Sequence, residues 1–143
     1  MAKSSSDEYL ERLRSVPLFA ECDDAELTQI AGLGAEISLP AGQELTREGD
    51  VAHEAFLLMD GHATAVRGGT QIATFGPGDF FGEMALIGNR PRSATVTADD
   101  QVTIRAFHQT EFRQMMGEVP SIAVGILRIM AERLLEAEDA PTH

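Results

Sequence analysis

The chain has 143 residues, 43% of them hydrophobic, which is one domain's worth and enough to build a single core without disulfide or metal staples. Its 11 Lys and Arg stand against 23 Asp and Glu for a formal net charge of −12, so the clustered cations that hold nucleic acid are missing and nucleic-acid binding is not expected. The apolar runs are too short to cross a bilayer, Met1 to Glu8 lacks the apolar stretch of a signal peptide, and Cys22 is the sole cysteine, so a cytoplasmic protein with no membrane partner, no internal disulfide and no multi-cysteine metal site is expected.

Tyr9, Leu10, Leu13 and Val16 fall at helical spacing, with Asp7 and Glu8 where carboxylates complement the helix dipole, and predict a short amphipathic helix over 7–16. Asp23 or Asp24 can cap a second helix, with Leu27, Ile30, Ala31 and Leu33 as its buried stripe and Gly32 or Gly34 as its terminator. Cys22, just before it, reads as an ordinary loop or helix-start residue without a function.

From Ala35 to Phe107 the hydrophobic period changes to two. Runs rich in Val, Ile, Thr and Phe predict strands over 36–39, 44–47, 55–59, 63–67, 70–75, 94–98 and 102–107. Asp60-Gly61 and Gly68-Gly69 are expected to close tight hairpins, because primed turns need positive φ at their centre. Helical spacing returns after His108. Thr110 is expected to cap a helix through Glu111, Phe112, Met115 and Met116 that stops near Gly117. Pro120 opens another, with Ile122, Ile126, Leu127, Met130 and Leu134 as its stripe, and the acidic stretch Glu136 to His143 is expected to fray. The predicted class is α+β: an antiparallel β-roll, or jelly roll, over about 35–107, flanked by N-terminal helices and by C-terminal helices over about 110–137, all in a single domain spanning 1–143.

The most informative stretch runs from Phe80 to Val96. A Gly-rich turn, Gly76 to Asp79, leads to Gly82 and then to Glu83-Met84-Ala85-Leu86, which favours about one turn of helix. Free N–H groups at that helix start, together with its dipole, suit an anion. Arg92, nine residues after Glu83, adds a planar cationic fork matched to two phosphate oxygens. An ionised Glu83 only accepts hydrogen bonds, so it repels phosphate and suits sugar hydroxyls. A ribose phosphate satisfies both, and the acidic surface does not exclude it, because a buried pocket responds first to its own donors. Arg90, on the far side of Pro91, is the weaker phosphate candidate.

Phe81-Gly82-Glu83-Met84-Ala85-Leu86 followed by Pro91-Arg92-Ser93-Ala94-Thr95-Val96 resembles the phosphate-binding cassette of cyclic nucleotide-binding domains, as found in catabolite-activator-type regulators, cyclic-nucleotide-dependent kinases and cyclic-nucleotide-gated channels. Leu18-Phe19, Pro40-Ala41-Gly42-Gln43, Arg47-Glu48-Gly49-Asp50 and Leu57-Leu58-Met59-Asp60-Gly61 resemble further landmarks of that family, so the similarity runs from Val16 to Leu135. The resemblance implies that Arg92 and the N–H groups of Glu83, Met84 and Ala85 hold a cyclic phosphate and that Glu83 bonds the ribose 2′-hydroxyl. It also implies that Gly82, Ala85 and Ala94 stay small so that backbone can reach the ligand. Ser93 stands where a threonine resembles the cGMP-preferring members, which leans the ligand towards cAMP with cGMP less favoured. The last helix is implied to act as a lid, with side chains from Ile129 to Leu135 covering the base and Arg133 as the polar contact.

The function expected from this is a stand-alone cyclic nucleotide receptor, not an enzyme and without a cofactor, that signals by lid closure to a separate protein effector. Buffering of the nucleotide, a fragment of a larger cyclic-nucleotide-regulated protein, and a ligand-free protein-interaction module are the alternatives. The oligomeric state stays open, since the apolar faces of the first and last helices can pack internally or against a second copy. A cupin-type metal enzyme shares the β-roll but needs clustered histidines, and His53, His62, His108 and His143 lack the His-x-His pairing.

Overall fold

The computed structural model describes residues 5–139, with the side chains of all of these except 5–7, 133 and 136–139. Three helical pieces come first: α1 (Ser5–Arg14), a 3-10 turn (Pro17–Phe19) and α2 (Asp24–Ala31). Strands β1 (Ala35–Leu39), β2 (Glu44–Thr46), β3 (Glu54–Asp60), β4 (Ala63–Arg67), β5 (Thr70–Phe75) and β6 (Phe80–Phe81) follow, then α3 (Glu83–Ile87), β7 (Thr95–Ala98) and β8 (Val102–His108), and finally α4 (Gln109–Glu118) and α5 (Pro120–Asp139). The strands form two antiparallel four-stranded sheets in the orders β1-β8-β3-β6 and β2-β7-β4-β5. This is the expected α+β class, an antiparallel β-roll with helices at both ends.

The core is divided by β3. Its residues alternate, so Phe56 and Leu58 enter a core shared with Ala65, Val96 and Ile104 of the two sheets, while Ala55, Leu57 and Met59 enter a second core under the helices with Leu27, Phe107, Phe112 and Ile122. Burial on both faces explains why the strand is a continuous apolar run. Phe80 and Phe81 divide in the same way, with Phe81 stacked on Phe75 at 4.8 Å and Phe80 edge-on to Phe19 at 6.3 Å.

Charged side chains fasten the helices to the roll. Arg105 of β8 donates to the carbonyls of Ala31, Leu33 and Gly34 at the end of α2, and lies 4.7 Å from the centre of the Tyr9 ring. Arg12 donates to Met59 O at 2.6 Å and to the Asp60 carboxylate at 2.8 Å, which ties α1 to the end of β3.

Four details differ from the sequence reading. Gly68-Gly69 does turn the β4–β5 hairpin, but Asp60-Gly61 closes none, because β3 and β4 belong to different sheets and the turn is a corner between them. The two-residue β6 carries no periodicity and was not predicted. The α4 cap is His108 rather than Thr110: the His108 ring accepts from Thr110 N while Glu111 accepts from His108 N, and the helix runs through Gly117. α5 continues to Asp139, past the expected onset of fraying at Glu136; residues 140–143 lie outside the described residues.

Gly61 has φ +90°, and a Cβ there would collide with Gln101 O and lie 2.8 Å from an Asp100 carboxylate oxygen. Gly49 has a similar φ of +89° with open space around it. Gly49→Ala is therefore expected to cost only the strain of a left-handed alanine, about 1 kcal/mol, and Gly61→Ala more than about 3 kcal/mol. Urea denaturation of the pair checks this; equal losses would show that the corner is not crowded. Burial, reinforced by Glu26, Asp23 and Glu21, pushes the Cys22 thiol up to about 11. Alkylation at neutral pH is expected to be much slower than for a free cysteine peptide, and equal rates would show an accessible thiolate.

Candidate functional site

The site forms where the chain leaves β6, makes α3 and returns to β7. Gly82 begins it in the left-handed region, φ +85°, which aims the first turn of α3 away from the strand. Gly88 N donates to Met84 O and Arg90 N to Ala85 O, each at 2.9 Å, and Asn89 takes a left-handed φ of 51° that its short polar side chain tolerates. The chain thereby reverses and brings Arg92 back beside Gly82.

Arg92 is held through its backbone and through both terminal nitrogens. Its backbone N donates to Asp50 O at 2.8 Å and its carbonyl accepts from Gly49 N at 2.9 Å. Its Nη1 donates to Gly82 O at 3.0 Å, its Nη2 to Glu54 O at 2.5 Å, and its guanidinium lies 5.5 Å from the centre of the Phe56 ring. Only 8% of Arg92 is exposed, and 7% of Glu83. Burial pushes the guanidinium below its ordinary pKa, and the carboxylates of Glu54 and Glu83 draw it back up. The group stays cationic. Each terminal nitrogen spends one hydrogen on a carbonyl, so the second hydrogen on each is left for a ligand.

The following residues are pinned as well. Arg67 Nε donates to Ser93 O at 2.9 Å. The buried Thr46 hydroxyl donates to Ala94 O at 3.0 Å and accepts from Val96 N at 3.2 Å. A cavity of about 290 Å³ lies against this loop, and Gly82, Glu83, Met84, Ala85, Arg92, Ser93 and Ala94 all line it. Ile72 and Phe75 of β5 complete the far wall. The size suits one small ligand: a cationic fork and peptide N–H groups at one end, a buried carboxylate beside them, and an apolar wall opposite. Among the described residues no group of three or more His, Cys, Asp or Glu could hold a metal.

The stretch expected to act as a lid lies on the helical side of the roll. Among the described residues, none of α5 lines this cavity. Ile129 and Met130 pack on the helical core, because Gly125 brings the α5 backbone against Leu18 O of the 3-10 turn. The side chain of Arg133 lies outside the described residues. Thr46, Ile72, Phe75 and the Phe56 ring under Arg92 escaped the sequence reading, since each reaches the loop across strands. The one local trace was Arg47-Glu48-Gly49-Asp50, whose backbone holds Arg92.

The family model of the cyclic nucleotide-binding domain matches residues 36–118, more than half of the chain. A cAMP-dependent protein kinase regulatory subunit of Neurospora crassa is 32% identical over 133 residues, 92% of this chain and 33% of the relative. The catabolite activator protein of Thermus thermophilus superposes with a TM-score of 0.80 at 27% identity, over 85% of this chain and 60% of that one. A cAMP-bound fragment of the regulator PfPKA-R gives a TM-score of 0.78 at 27% identity, over 93% of this chain and 47% of that one. The chain thus spans about one third of the curated relative and 47% and 60% of the two solved chains.

Thr46→Val keeps the volume at the loop's base but leaves Ala94 O and Val96 N without their bridge, which is expected to cost about 1 to 3 kcal/mol, whereas Thr46→Ser keeps the hydroxyl and costs less. Chemical denaturation of the two variants tests this, and a Val variant as stable as the Ser variant would remove the bridge as a support of the site.

Proposed function

Because the chain belongs to the cyclic nucleotide-binding domain family, we propose that it is a receptor for a cyclic purine nucleotide, cAMP in preference to cGMP, and that its role is binding rather than catalysis. The observation that carries this is Arg92, a buried cation bonded among the described residues only to carbonyls, which lines one cavity together with the buried carboxylate Glu83. A buried guanidinium with hydrogens to spare is a strong anion site. In the proposed complex it takes the cyclic phosphate together with the N–H groups of Glu83, Met84 and Ala85. Glu83 accepts the ribose 2′-hydroxyl. Gly82, Ala85 and Ala94 leave room for the backbone to approach, and Ser93 offers a hydroxyl without the bulk of threonine. The apolar wall of Ile72 and Phe75 faces the base.

Signalling follows from a population shift. The last helix swings from the 3-10 turn so that residues of 129–135, including Arg133 and the exposed Leu134 and Leu135, cover the base. Ligand favours that arrangement only by the contacts the closed state adds. The output passes to a protein effector, on a separate chain or in a longer protein of which this sequence is part. The kinase regulatory subunit among its relatives supports the regulatory role and the preference for cAMP.

Calorimetric titration with cAMP, cGMP and 5′-AMP tests the reading. Binding of a cyclic ligand and not of 5′-AMP is expected, with cAMP the tighter; silence with all three from folded protein would overturn it. Arg92→Ala removes a desolvated charge-assisted contact worth about 2 to 5 kcal/mol and should weaken binding by well over tenfold. Glu83→Gln should weaken cAMP while barely affecting its 2′-deoxy analogue, and equal losses would remove the 2′-hydroxyl role.

A further inference from the structure

A second cavity, of about 180 Å³, lies on the other side of Glu83 from the nucleotide site. Val16 and Leu18 of the 3-10 segment, Phe80 of β6, and Ile126, Ile129 and Met130 of α5 form its apolar walls. Asp79 and Glu83 are its acidic wall residues. Its walls cannot simply close. At Gly125 the α5 backbone already meets Leu18 O so closely that even a methyl group would collide, and over the next five residues the larger side chains of Ile126, Ile129 and Met130 stand around the gap. The glycine contact sets the spacing between helix and turn, and the spacing keeps the cavity open.

An apolar cavity of roughly 150 Å³ is enough to take a benzene-sized molecule. This one is slightly larger and differs in carrying carboxylates, which repel an acid and attract an ammonium through charge-assisted hydrogen bonds. Asp79 accepts Gly76 N at 2.8 Å through one oxygen, so its carboxylate is held in place by the turn. We propose that this cavity is a second ligand site, for a small monocyclic amine whose ring lies among Leu18, Phe80, Ile126 and Ile129 and whose ammonium faces Asp79 and Glu83. The ligand bridges α5 to the 3-10 turn, so it binds the arrangement in which the helix lies on the turn and opposes the swing of α5 over the nucleotide. The two sites are therefore negatively coupled. That coupling rests on the receptor reading above; the binding of the amine does not.

Benzylamine is the probe, with toluene and benzoate as controls, and methyl NMR of the whole chain as the readout. Benzylamine is expected to bind with a millimolar or tighter dissociation constant and to shift the methyl signals of Ile126, Ile129 and Met130. Toluene should bind several-fold more weakly and benzoate not at all. Ile129→Phe, checked for folding by its thermal transition, should abolish the benzylamine shifts by filling the cavity. Asp79→Asn should weaken benzylamine and leave toluene unchanged. Absence of those methyl shifts in the unmodified protein, or equal binding of benzylamine and benzoate, would overturn the site. Saturating benzylamine is also expected to raise the apparent dissociation constant for cAMP several-fold, and an unchanged constant would overturn the coupling. Failure of cAMP to bind without amine would count against the receptor reading alone, since the methyl shifts decide the site independently.

Discussion

The loop geometry of this protein depends on keeping one guanidinium out of water without a bonded carboxylate. Arg92 spends its hydrogen bonds on the carbonyls of Gly82 and Glu54, which are dipoles and not full charges. Such partners satisfy the donors but do not neutralise the cation. The two acids nearest in effect, Glu54 and Glu83, act through the field and only partly offset the desolvation. The folded chain is thus left with a buried positive charge whose most favourable further contact is an anion. Every nearby irregularity serves that arrangement: the left-handed Gly82, where a Cβ would lie 2.7 Å from Arg92 Nη1, the left-handed Asn89, and the Gly49-Asp50 backbone that fixes both ends of residue 92.

β3 links this charge to the helices. Glu54 and Phe56, at its start, touch Arg92; Leu57 and Met59, one residue out of phase, pack under the helices. Phe80 and Phe81 repeat the same division immediately before Gly82. Cores of this density do not deform continuously. A displacement of the loop carrying Glu83 and Arg92 therefore presses on Phe80, and through it on Phe19 and Phe112, which belong to the 3-10 turn and α4. The ligand loop and the C-terminal helices share a boundary two residues wide.

What the sequence made legible follows the range of the forces involved. The loop 82–94 was readable because its chemistry is contiguous: a glycine with positive φ, an acid, an arginine and small residues at fixed spacing. The helices were readable from period and caps, although His108 displaced Thr110 as the cap of α4, since a ring nitrogen accepts an N–H as well as a hydroxyl does at that position. Asp60-Gly61 misled because a glycine with positive φ turns the chain equally well at a hairpin and at a corner between sheets; the choice lies in Asp99 and Asp100, which accept from Thr64 and His62 across 35 and 38 residues of sequence. Thr46, Ile72 and Phe56 were unreadable as site residues, because only cross-strand register places them there. The position of α5 is set by Gly125 against Leu18 O, a backbone contact with no signature in a hydrophobic stripe.

The charge balance then separates affinity from rate. A formal charge of −12 repels a phosphate ester at long range, but that field is screened over about 8 Å at physiological ionic strength. In the proposed complex the contact with Arg92 would be made inside a cavity, where screening is weak and the effective dielectric is lower than that of water. On that proposal surface repulsion would slow encounter, while the buried fork would set how long the ligand stays. Added salt would then raise the rate of arrival and scarcely change the rate of departure. The acidic composition that disfavours nucleic acid would thus leave the proposed binding of a small cyclic phosphate almost untouched, because the two kinds of partner are judged at different distances from the protein.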